Sequence, residues 1–75
     1  MVKVILAEYV QDAKDFCLEQ NLKVHQTVII TSVQSLEGLR FRYEDVIRLQ
    51  GWSRRPDVEE IEEYILRTHV AMRSL

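Results

Sequence analysis

Arg54 and Arg55 follow Gly51-Trp52-Ser53 and precede Pro56-Asp57, so two guanidinium groups, a hydroxyl and an indole sit within four residues. Such a set can hold a phosphate or carboxylate and stack a planar group. The same residues have an architectural reading, in which both arginines are solvated turn residues or partners of Asp57 and Glu59 and Trp52 lids the core. Ser32 fits a helix cap better than a nucleophile, and no histidine stands near it in sequence. His25 and His69 fall short of the three or four protein ligands of a zinc site. Cys17 is the only cysteine; it lies on the apolar side of an expected helix, where a thiol packs rather than reacts. Glu59, Glu60, Glu62 and Glu63 make an acidic run that a solvated helix flank explains, and Glu63 and Arg67 have the i,i+4 spacing of an ion pair. No metal, cofactor or enzymatic activity is expected.

The elements that must position these residues follow from hydrophobic period. Lys3 to Ala7 is a short apolar run rich in β-branched residues, which suits a strand covered on both faces. Tyr9 to Asn21 shifts to helical spacing, with Val10, Ala13, Phe16, Cys17 and Gln20 on one face and Asn21 suited to the left-handed end. After a connection at residues 23–26, Thr27 to Thr31 gives a second strand, joined to the first by a right-handed parallel crossover. A helical turn over Val33 to Glu37 is expected next, capped by Ser32 and closed by Gly38, with Leu36 and Leu39 inward. Arg40 to Glu44 reads as a loop in which Phe41 or Tyr43 covers the core edge. Val46 to Gln50 alternates and therefore reads as an edge strand. Pro56, Asp57, Glu59 and Glu60 suit a helix start. Val58, Ile61, Ile65, Leu66, Thr68, His69 and Met72 then form the inner side of that helix, which frays between Val70 and Leu75.

The order is βαββα, and seventy-five residues allow one domain, residues 1–75. The fold class is α/β: a small three-stranded parallel sheet in the order 2-1-3 with two helices, a reduced Rossmann-like unit. Whether both helices share a face is left open. All three strands then end on one rim, and ligands of open α/β sheets bind outside that rim. The rim brings together Glu8 and Tyr9, Thr31 and Ser32, and Gly51 to Arg55. Two readings follow. In one, Trp52, Tyr43, Phe41, Arg54 and Arg55 form a surface for a protein partner, either a second copy or a host factor. In the other, Ser32, Ser53 and the two arginines hold a small ligand or nucleotide.

The whole chain also resembles a loose group of very short α/β proteins encoded by actinobacterial phages. The residues that carry the resemblance are Asn21-Leu22 at the end of the acidic helix and Leu36-Glu37-Gly38-Leu39-Arg40. They continue in Gly51-Trp52, Arg55-Pro56-Asp57 and Glu60-Ile61. The resemblance implies a fold and a setting, the cytoplasm of a bacterial host, among accessory genes that often encode takeover or counter-defence factors; it implies no assigned activity. A weaker likeness links the first strand and helix to the start of the second motor lobe of helicases. The later arginine motifs and any Gly-x-x-x-x-Gly-Lys loop are missing, which sets an ATPase aside.

Composition bounds the partners. A net charge of -2 and a pI near 5.6 argue against a dedicated nucleic-acid binder. The apolar runs fall short of the ~20 residues that span a bilayer, and the N-terminus lacks the order of a signal peptide. A single cysteine fits a reducing cytoplasm. Self-association is expected, because a domain this small buries only about 60% of its unfolded surface.

Overall fold

The computed structural model describes the backbone of residues 2–73 and the side chains of residues 2–69. The last helix stays helical through Arg73, so the fraying expected from Val70 onward does not appear over residues 70–73; residues 74–75 and the inward side chain expected of Met72 lie outside what is described. Three strands, β1 (Lys3–Leu6), β2 (Thr27–Ile29) and β3 (Val46–Arg48), and two helices, α1 (Val10–Glu19) and α2 (Val58–Arg73), are joined by short 3-10 turns. The sheet order is β2-β1-β3 and every pairing is parallel, with Val4 opposite both Val28 and Val46.

Why β1 is central is visible in its burial. Val4, Ile5 and Leu6 are all 0% exposed, so the run has no polar face to offer to solvent. Its alternation sends side chains to two cores. Val4 and Leu6 pack with Ile30, Leu36, Phe41, Trp52, Ile61 and Ile65 on the side of α2. Ile5 and Ala7 pack with Ala13, Phe16, Cys17, Ile29, Ile47 and Leu49 on the side of α1. The helices therefore cover opposite faces, and the sheet is doubly wound.

The strands are shorter than their apolar runs, but the ladder continues past them. Ile30 N–H donates to the Ile5 carbonyl at 3.1 Å and Leu49 N–H to the Leu6 carbonyl at 2.9 Å. Asn21 ends the α1 region with φ 55°, the left-handed conformation that asparagine tolerates. Three inward assignments fail. Val10, the first residue of α1, is 43% exposed, Gln20 at the end of α1 is exposed, and Leu66 is 55% exposed. The inner stripe of α2 runs Val58, Ile61, Tyr64 and Ile65; Leu66 is five residues past Ile61, about 140° around the helix.

At the opposite end from the rim, Asp45 is buried at 5% exposure. It accepts from Arg42 Nε at 3.1 Å and Lys3 Nζ at 3.4 Å. The hydrogen bond from Arg42 holds its carboxyl below the usual range, against the opposing effect of burial. This pair fixes the turn that feeds β3 to the first residue of β1.

Candidate functional site

Arg55 occupies the centre of the rim, and its guanidinium is fully committed. Its side chain is 13% exposed. Nη1 donates to the carbonyls of Ile30 at 2.9 Å and Ala7 at 3.3 Å, and Nη2 donates to the Thr31 carbonyl at 2.7 Å. Nε and Nη2 grip Asp57 at 2.9 and 2.7 Å. Five N–H groups are all that an arginine has. The side chain thus fastens the ends of β1 and β2 to the start of α2, in the place where a ligand was expected.

Trp52 is a core residue, 4% exposed, and this removes it from any surface that greets a partner. Its Nε1 donates to Glu62 Oε2 at 2.9 Å, so the one polar atom of the indole is satisfied inside the fold. Gly51 turns the chain with φ 89°, and a Cβ there would come within 3.0 Å of Glu8 Oε1. Glu8 in turn accepts from Arg54 Nη1 at 3.3 Å. Arg54 remains 69% exposed, Ser53 is exposed and Tyr9 is 63% exposed. Ser32 is half-buried at the N-cap position of its 3-10 turn, but its hydroxyl makes no capping bond. Ser35 acts there instead, accepting from Thr31 N–H at 3.4 Å with its Oγ 3.2 Å from Thr31 Oγ1.

Tyr43 does not belong to this rim. It precedes β3 and so lies at the opposite end of a parallel sheet. Its ring centroid is 4.6 Å from that of His69, and the Arg48 guanidinium carbon lies 5.6 Å from its ring centroid. Phe41 is buried at 2%. Of the aromatic and arginine surface expected from sequence, Arg54 and Tyr9 are what the rim leaves to solvent.

A second feature lies away from the rim. Beside β2, on the α1 side, an apolar groove of about 350 Å³ is lined by Cys17, Leu18, Leu22, Val24 and Ile29, with Lys14 its charged residue. Leu18 and Val24 are 80% and 89% exposed, the two most exposed large apolar side chains among the described residues. The signal was present as two off-pattern residues: Leu18 outside the apolar stripe of α1, and Val24 in a connection otherwise made of Lys23, His25 and Gln26.

The groove lies along an open strand edge. Ile30 faces β1 through its N–H, so alternation in the parallel ladder turns the N–H and C=O of Ile29 outward. The outer donors on either side are already used, Thr27 N–H by the Val24 carbonyl and Thr31 N–H by Ser35. Ile29 is the point at which this edge can pair.

The chain matches no family model, no curated protein and no solved structure. Among the described residues no three His, Cys, Asp or Glu side chains converge as metal ligands, and no helix is long and apolar enough to cross a membrane. Among the described residues, what is open to contact is an apolar groove beside the outer edge of β2 and the exposed side chains of Tyr9 and Arg54.

Proposed function

We propose that the protein is a non-enzymatic interaction module that acts as a symmetric pair, two copies meeting along β2 and the groove beside it. The observation that carries this reading is the coincidence of the two most exposed apolar side chains, Leu18 and Val24, with an open strand edge. A two-fold axis beside Ile29 would let each Ile29 N–H donate to the other copy's Ile29 carbonyl, the double exchange of an antiparallel pair. The same operation sets the two grooves, each lined by Leu18 and Val24, beside one another, so one patch meets its own copy in the isologous manner of a two-fold pair.

Likeness to short actinobacterial-phage proteins supports an accessory role in a host cytoplasm, with the exposed side chains of Tyr9 and Arg54 open to a host protein.

Sedimentation equilibrium tests the pairing. The mass should climb from 8.9 kDa toward twice that value as concentration rises. A Leu18→Glu, Val24→Glu double variant should stay at the lower mass with an unchanged circular dichroism spectrum. Wild-type protein that stays at the lower mass up to about 100 µM, beyond the range of most specific complexes, overturns the proposal.

A further inference from the structure

The crevice beyond the strand ends of an open α/β sheet usually holds an anion or a nucleotide, helped by outward N–H groups at a helix start. The chemistry here has the opposite sign. The carbonyls of Ala7, Ile30 and Thr31 and both carboxylate oxygens of Asp57 point at one spot. The Trp52 ring centroid lies 5.4 Å from the carbon of the guanidinium held there. Five acceptors and an aromatic ring repel phosphate and suit a planar cation.

We propose that this crevice is a guanidinium-binding site, filled by the chain's own Arg55 and able to take a free guanidinium ion when that side chain is removed. The match is one of shape as well as charge. Asp57 accepts two parallel N–H bonds in the bidentate manner of a carboxylate, and the three carbonyls meet the remaining donors at 2.7 to 3.3 Å. An ammonium group has three donors and no plane, so lysine cannot reproduce the set. The site draws on the chain just past β1 and β2, the 3-10 turn before α2 and Asp57 immediately ahead of α2, so its occupancy fastens the fold; this holds whether or not two copies pair along β2.

The test uses Arg55→Ala, melted with about 50 mM guanidinium chloride, far below the molar range in which that salt denatures. Sodium chloride and urea at the same concentration are the controls. The melting temperature of the variant should rise by several degrees in guanidinium alone, while the wild type gains nothing. Trp52 is the only tryptophan and lies against the site, so its emission should return toward the wild-type spectrum as the ion binds. Adding Asp57→Asn should abolish the response, and Arg55→Lys should melt below wild type. If Arg55→Ala does not fold alone, the readout becomes recovery of its folded circular dichroism signal on guanidinium addition. Equal responses to guanidinium and sodium, no recovery of an unfolded variant, or Arg55→Lys melting like wild type would each overturn the assignment.

Discussion

Glu62 shows how much a single side chain can hold here. Its Oε2 accepts from Arg48 Nε at 2.7 Å and Trp52 Nε1 at 2.9 Å, and its Oε1 accepts from Arg48 Nη2 at 2.7 Å. The hydrogen bond from Arg48 is the chief cause that its carboxyl sits below the usual range; burial works the other way, and Trp52 adds to the lowering. A carboxyl lowered in the folded state stabilises fully above its unfolded pKa, and that contribution is lost as pH falls through the folded value. Glu62→Gln should therefore cost about 1 kcal/mol at pH 7, the scale of a bidentate pair that is still partly solvated. The gap from wild type should shrink at pH 3, as measured by urea denaturation; a gap of constant size would refute the ion-pair account. None of this could be read from sequence, where Glu62 is one acid in a run of four. Arg48 is 14 residues away, and the carbonyl partners of Arg55 are 24, 25 and 48 away. Only the neighbouring Arg55–Asp57 contact had a local signature.

At the level of elements the sequence was far more informative, because period reports burial directly. The continuous apolar run of β1, the Asn21 helix end and the helix after Pro56 stand where period and turn residues placed them, and the turn expected over Val33 to Glu37 forms over Val33–Leu36. Errors fall at the margins of helical faces, as Val10 and Leu66 show, since a stripe about 100° wide leaves flanking positions undecided. The distinction is measurable. Ile61 is 0% exposed, so Ile61→Ala should cost ~2–5 kcal/mol by lost burial and a residual cavity. Leu66→Ala, on the same helix, should change stability by less than about 0.5 kcal/mol. Similar losses for the two variants in chemical denaturation would mean that α2 is turned from the orientation described. Gly51→Ala offers a third contrast: its φ of 89° and the approach of Glu8 predict a loss of ~1–2 kcal/mol from the left-handed conformation alone.

For the whole molecule, topology was legible from the order of elements and the apolar character of β1, but the division of the helices between two faces was not. That division depends on which side of β1 each connection crosses, and it leaves α1 alone to cover its face beside β2. The groove is what α1 does not fill. A chain of this length has an expected stability of only ~4–11 kcal/mol, so association would be a large fraction of it. While the dimer predominates, above its dissociation constant, each tenfold rise in concentration adds about 0.7 kcal/mol per chain by mass action, although the separated subunit is itself folded. For a domain of this size that corresponds to a melting temperature higher by roughly 3–5 °C per decade. Differential scanning fluorimetry from about 1 to 100 µM should show this rise for the wild type, in the range where weak specific complexes form. The Leu18→Glu, Val24→Glu variant should give one melting temperature at every concentration, and Arg54→Ala, which leaves the β2 edge untouched, should follow the wild type. A flat wild-type profile would mean that the two exposed side chains serve no second copy, whereas a rise abolished by Arg54→Ala would move the interface from β2 to the rim.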